Sequence, residues 1–170
     1  MSAHVELALL AAERTPIGRP VLLQPIPKSA WGLNLRRVFT PTEWDRLRKP
    51  VMAAAGNCCE YCGGIGQFHP VECHEWWAFD ESTGTVSLRR LITLCPDCHA
   101  MQHFGFHRDL IGPPELEDYL IGMNGWTRPV AEASWRTAIR DWERRTARTD
   151  WVLDTSVIGV QIIEGGWRAC

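Results

Sequence analysis

Cysteine and histidine are concentrated in the middle of the chain. Six of the seven cysteines lie between residues 58 and 98, and five of the six histidines lie between residues 69 and 107. An odd number of cysteines argues against a closed disulfide framework. The overlap of the two residue types instead predicts a metal-binding segment.

Two Cys-x-x-Cys pairs stand in this segment, Cys59-Glu60-Tyr61-Cys62 and Cys95-Pro96-Asp97-Cys98. The spacing lets two thiolates on one tight turn bind the same tetrahedral zinc ion. The pairs therefore predict a structural zinc site with no open position for a substrate. The 32 residues between them exceed the usual linker of about 15 to 20, so the zinc must close a loop that has structure of its own. Free buried thiols are the alternative, and Cys58 and Cys170 stay unassigned.

The sequence around the cysteines predicts a hairpin between helices. Thr40-Pro41-Thr42-Glu43 has the pattern of a helix start, with Thr40 as N-cap and Glu43 completing a capping box. The further elements expected are a short strand over 69–73, a turn over 81–84, a strand or loop over 85–94, a helix beginning over 99–107, a helix over 114–122, a helix over about 129–148 and a strand over 156–163.

These elements predict an α+β fold with a small zinc-bound ββα core and flanking N- and C-terminal helices. Residues 1–40 contain four prolines between positions 15 and 30, which predicts an irregular basic arm. Residues 41–110 form the expected core with its leading helix. Residues 111–170 form a C-terminal helical extension that ends in a short strand.

Composition sets the broad class of the protein. The chain has 170 residues, 45% of them hydrophobic and 22% charged, which excludes wholesale disorder. It lacks a run of about 18 apolar residues, so we expect a cytoplasmic protein. The net charge is only −2, but residues 1–57 hold eight basic against four acidic residues. The arginines of the helix expected at 129–148 form either a solvated face or a phosphate contact.

Two runs of sequence resemble the HNH endonuclease family, also called ββα-metal or His-Me finger nucleases. They are Val71-Glu72-Cys73-His74-Glu75-Trp76-Trp77 and Leu94-Cys95-Pro96-Asp97-Cys98-His99-Ala100-Met101-Gln102-His103. The upstream Cys59-x-x-Cys62 completes the zinc-knuckle form, and the resemblance covers about residues 57–107. It implies an enzyme that hydrolyses phosphodiester bonds in nucleic acid, with DNA as the expected substrate and Mg²⁺, Mn²⁺ or a similar ion as catalytic metal.

The resemblance also implies roles for single residues. His74 matches the general base, and His99 matches the histidine that binds the catalytic metal. His103 follows four residues later, on the same face of a helix, as a second metal ligand or a phosphate contact. Arg89 and Arg90 are candidate contacts to the nucleic-acid backbone.

Two positions depart from the family pattern. Many members have a metal-binding Asp or His just before the base, where this chain has Cys73. In a regular strand Glu72 points to the other side from Cys73. The family's central Asn has no clear counterpart, and its place falls on Arg90. The alternative function is therefore that of a catalytically inactive zinc module. Such a module would bind either nucleic acid or a protein partner within a larger assembly. The candidates for the further metal ligand are Cys73 itself, Glu75, Asp80 and His103.

Overall fold

The computed structural model describes residues 20–32, 34–66, 70–107 and 110–158, and the backbone of residues 160–163 and 166–169. This part of the chain has a mixed α+β fold, which confirms the expected class. None of its helices has the length and apolar character needed to cross a membrane. The helices are α1 (Leu35–Val38), α2 (Pro41–Ala54), α3 (Pro96–Gln102), α4 (Pro113–Asn124) and α5 (Arg128–Thr146), and the strands are β1 (Glu72–Asp80), β2 (Thr85–Leu94), β3 (Val152–Asp154), β4 (Val160–Ile163) and β5 (Gly166–Ala169).

An antiparallel hairpin of β1 and β2 forms the centre of a three-stranded sheet, and β3 adds to β2 in parallel. The turn over 81–84 is as predicted, with Gly84 at a φ of 71°. Strand β1 is much longer than the short strand expected over 69–73, and residues 67–69 lie outside the described residues. The sequence does not reveal the full length of β1, because the strand lacks the regular alternation of buried and exposed residues. Residues 73–75 are all buried, and the register shifts between Trp76 and Trp77.

Helix α2 begins as predicted, at the capping box. The Thr40 hydroxyl accepts a hydrogen bond from the Glu43 N–H at 3.4 Å, and the Thr40 N–H donates to the Glu43 carboxylate at 2.9 Å. The apolar face of the helix, which includes Leu47 and Val51, packs with Val86 of the hairpin in one buried cluster. This contact covers one face of the sheet.

The chain before α1 is irregular but packed. Residues 20–27 have no regular structure, yet Val21, Leu23 and Ile26 are buried. The Val21 N–H donates to the side chain of Asn124 at 2.6 Å, which joins this segment to the end of α4. Residues 1–19 of the predicted arm lie outside the described residues.

Helix α3 begins and ends earlier than the helix expected over 99–107. Cys95 is its N-cap and Pro96 its first residue, a position that suits proline. After Gln102 the chain turns, and Gly105 lies against the ring of Trp142, where an added Cβ would be 2.2 Å from Nε1. This close approach fixes the turn that follows α3.

Helices α4 and α5 pack against each other and confirm the two predicted helices, although α4 ends at Asn124, with Gly125 as its C-cap, rather than near Gly122. Arginines in the last turn of α5 and just beyond it bind the hairpin turn: Arg145 Nε lies 3.0 Å from the Glu81 carboxylate, and Arg148 donates to the Glu81 carbonyl. The strand expected over 156–163 begins instead as a 3₁₀ turn at Ser156–Ile158, and β4 follows it.

Candidate metal centres

The two Cys-x-x-Cys pairs meet in the fold. The sulfur atoms of Cys59, Cys62, Cys95 and Cys98 all lie within 4.8 Å of one another, and those of Cys62 and Cys95 are 3.6 Å apart. A tetrahedral zinc ion with Zn–S bonds of about 2.3 Å would hold its sulfurs about 3.8 Å apart. This four-cysteine cluster can therefore hold zinc.

The first pair is held by a tight knuckle. The Gly63 N–H donates to the Cys59 carbonyl at 2.8 Å, and the Gly64 N–H points to the Cys62 sulfur at 3.4 Å. Gly63 has a φ of 74°, a conformation in which a Cβ would be strained. The backbone thus directs both sulfurs to the same side.

A buried ion pair joins this knuckle to β2. The Glu60 carboxylate accepts from the Thr93 N–H at 2.9 Å and pairs with Arg90 at 3.2 Å, and both charged side chains are only 7% exposed. Arg90 therefore has a structural partner inside the fold instead of facing a nucleic acid. Arg89 is exposed, and its contact with the backbone of a nucleic acid stays a prediction.

The second pair belongs to the start of α3. Cys95 is the N-cap and Cys98 lies in the first turn, so metal binding there would also fix the direction of the helix. The contact between Cys59 and Cys98 lowers the pKa of Cys59 to about 4 and raises that of Cys98. Zinc binds cysteines as thiolates, so its binding would release the protons that these thiols carry.

Three histidines form a second cluster, the histidine triad of His74, His99 and His103. Their ligand atoms also lie within 4.8 Å of one another, and the Nε2 atoms of His99 and His103 are 3.1 Å apart. Two nitrogens on a tetrahedral zinc would be about 3.3 Å apart. His74 is 1% exposed, and neither ring nitrogen has a hydrogen-bond partner among the described residues. A buried polar ring without a partner is costly, and a metal would satisfy it.

Glu72 orients His99, one of the three rings of the triad. Its carboxylate binds Nδ1 of His99, which leaves Nε2 of that ring facing His103. A carboxylate on the far nitrogen is the usual support of a metal-bound histidine. Sequence reasoning missed this role, although the two-residue period of a strand places Glu72 on the same side as His74.

The triad is electrically suited to a cation. Burial is the main cause that lowers the pKa of all three rings, with smaller contributions from charges that include Arg36, and it brings that of His103 to about 4. The rings are thus neutral near pH 7 and keep a lone pair for a metal.

The other ligand candidates lie elsewhere. Cys73 is buried in the apolar core, which raises the pKa of its thiol. Glu75 is buried and accepts from the Leu35 N–H at 3.0 Å, and Asp80 caps the hairpin turn through Ser82. The structure does not bring these three groups into the triad.

Comparisons of the chain with protein-family models, with curated proteins and with solved structures found no match. The two centres are therefore defined by their donor atoms and geometry alone. Both can hold a metal ion such as zinc.

Loss of one sulfur should unfold the core. We expect Cys95→Ser to release zinc and to abolish the cooperative thermal transition, because a structural zinc contributes about 10 to 16 kcal/mol to folding. Cys58→Ser is the matched control, since Cys58 lies outside the cluster. Zinc content and circular dichroism are the measurements. A folded Cys95→Ser protein with full zinc would contradict the assignment.

Loss of one triad histidine should remove one metal and leave the other. We expect His74→Ala and His103→Ala each to reduce the metal content from two ions per chain to one, while the four-cysteine zinc remains. Inductively coupled plasma mass spectrometry gives the count. His103 is partly exposed, so its variant tests the site even where His74→Ala fails to fold. Two ions in both variants would exclude the triad as a ligand set.

Proposed function

We propose that the protein is a metal-dependent nuclease of the HNH type that hydrolyses phosphodiester bonds in nucleic acid. The observation that carries the proposal is the convergence of His74, from the first strand of a hairpin, with His99 and His103, from the helix that follows it. The four-cysteine cluster fixes that helix. This arrangement supports the resemblance seen in the sequence between residues 57 and 107.

The two centres suit different tasks. Four thiolates leave a zinc ion no open position, whereas three nitrogens leave at least one. A divalent metal in the triad would, when bound, stabilise charge on the phosphate and acidify a water molecule. Imidazole ligands favour zinc, nickel or iron over Mg²⁺, which prefers oxygen. We therefore propose a transition metal for this position instead of magnesium.

The position of His74 favours a ligand role over the general-base role that the resemblance implies. A ring nitrogen that binds a metal has no lone pair left to accept a proton from water. His74 is buried, and both partner rings lie within 4.9 Å of it, centroid to centroid. Its task in the proposal is to hold the metal, while Glu72 keeps His99 in its orientation.

A groove beside the triad supports a polyanionic substrate. This arginine groove, a cavity of about 420 Å³, is lined by Arg36, Trp44, Asp45, Arg48 and Glu72 among others. Arg48 is paired with Asp45 at 2.7 Å, so we assign the phosphate contact to Arg36. Arg36 is exposed and stacks over Trp44 at 5.6 Å from the ring centroid. Glu72 lines the groove and binds His99 of the triad. A strand whose phosphates bind Arg36 would therefore pass the carboxylate that supports the triad.

Cleavage is the direct test. Purified protein should cut plasmid or single-stranded DNA with Mn²⁺, Ni²⁺ or Zn²⁺, less with Mg²⁺, and not after chelation. His99→Ala and His103→Ala should abolish cutting, because each removes a ligand from the triad. Gel assays of the products, with the metal content of each sample, give the result. The control is Cys58→Ser, which should cut normally.

The outcomes separate the two candidate functions. Metal-dependent cutting that both histidine variants lose would support the nuclease. Wild-type protein that is folded, holds both metals and binds strands without cutting DNA or RNA would refute it. That result would favour the inactive zinc module instead.

The arginine groove gives a second prediction. Arg36→Ala should lower kcat/KM about tenfold through loss of one charged hydrogen bond. It should also make the slope of log Kd against log salt shallower by about 0.7 to 0.9, the contribution of one phosphate contact. Arg37→Ala, at the exposed neighbouring position, is the matched control. Equal effects of the two substitutions would exclude the groove as a strand path.

A further inference from the structure

A second cavity includes one residue of the triad in its wall. This aromatic pocket has a volume of about 260 Å³, and its walls include Trp31, Asn34, Glu75, Trp77, His103 and Phe106. His103 thus belongs to both the pocket and the triad. A group that contacts His103 inside the pocket would therefore lie next to the triad.

The walls of the pocket are aromatic and held in place. Trp77 is only 9% exposed, and the indole N–H of Trp31 donates to the Ile26 carbonyl at 3.2 Å. The rings of Trp31 and Phe106 meet edge to face, with centroids 5.2 Å apart. Fixed ring faces of this kind bind flat ring systems without a large cost in side-chain entropy.

Phe106 stands at the mouth of the pocket and is 62% exposed. A large aromatic side chain left in water at the edge of a cavity offers a surface for stacking. Asn34 and Glu75 add an amide and a carboxyl group to the wall. A nucleobase has both features that these groups would bind, two flat faces and an edge with donors and acceptors.

The size of the pocket limits what can enter. Pockets for drug-sized ligands measure about 300 to 1,000 Å³, so this smaller cavity suits a single ring system. A base pair is too large for it. A base inside a duplex would have to leave the stack, whereas a base in a single strand is already free to enter.

We propose that the aromatic pocket receives one unpaired nucleobase of the substrate strand, beside the phosphate that the triad acts on. The proposal rests on the nuclease function and specifies its substrate. The protein then prefers single strands, or duplexes with an unpaired base at the cleavage point. Stacking on the exposed ring of Phe106, with Trp31 meeting the base edge to face, supplies the recognition.

The test removes the base and the ring in turn. End-labelled single-stranded DNA oligonucleotides carry one abasic nucleotide that moves stepwise along the strand. In wild-type protein we expect cutting of one phosphodiester, at a fixed offset from the abasic position, to fall about tenfold. Phe106→Ala should lower cutting of the intact strand by a similar factor. On the abasic strand, Phe106→Ala and wild-type protein should cut the affected phosphodiester equally slowly. Val130→Ala, an exposed apolar residue of α5, is the matched control.

A binding measurement checks the result without turnover. A strand with 2-aminopurine at the same position should change its fluorescence with wild-type protein in the absence of added divalent metal, and less with Phe106→Ala. Equal cutting of intact and abasic strands by wild type, or equal loss on both strands in Phe106→Ala, would overturn the pocket and leave the nuclease standing. Wild-type protein that cuts no strand with any metal would refute the nuclease, and the pocket proposal with it.

Discussion

The convergence of four sulfur atoms is the constraint on which the rest of the structure depends. Cys59 and Cys62 lie on a knuckle before the hairpin, and Cys95 and Cys98 lie at its end. Bringing them together closes a long loop, which costs chain entropy. A bound zinc ion would offset that cost, and the buried pair of Glu60 and Arg90 ties the same knuckle to β2. These two interactions hold the base of the hairpin independently of its contacts with α2 and α5.

The same constraint positions the histidine triad. Cys98 and His99 are neighbours in α3, so whatever fixes the sulfur also fixes the imidazole. Helical spacing then places the ring of His103 beside that of His99, and β1 brings the ring of His74 into contact with His99. Four thiolates would close the coordination of a zinc ion in one centre, whereas the three imidazoles of the other would leave a position open. His103 of the triad lines the aromatic pocket, and Glu72 beside the triad lines the arginine groove. With metals bound, a rigid frame would thus lie next to a site that a substrate can approach.

Local signals in the sequence predicted the local structure. The cysteine spacing predicted the two Cys-x-x-Cys pairs, and Thr40 with Glu43 predicted the start of α2, because each pattern needs only neighbouring residues. That the two pairs meet followed from a different argument, namely that one structural zinc ion needs four ligands. Contacts between distant segments carry no such pattern. Glu72 could be placed on its face of β1, but its partner comes 27 residues later. The walls of the aromatic pocket come from three separate segments, and nothing in the spacing of Trp31, Trp77 and Phe106 shows that they meet.

The irregular N-terminal segment is joined to residues that are translated much later. Val21 binds Asn124, and Ser29 binds the carbonyl of Arg148, 119 positions further on. During synthesis the hairpin and its sulfurs emerge while this segment still lacks its partners. Leu23 is buried among side chains of α4 and α5, so it stays in water until both helices have left the ribosome. Ile26 packs instead with α2 and the hairpin, which are translated earlier. A nascent chain that has already formed its hairpin therefore still exposes Leu23, which leaves this apolar side chain open to aggregation until α5 is complete.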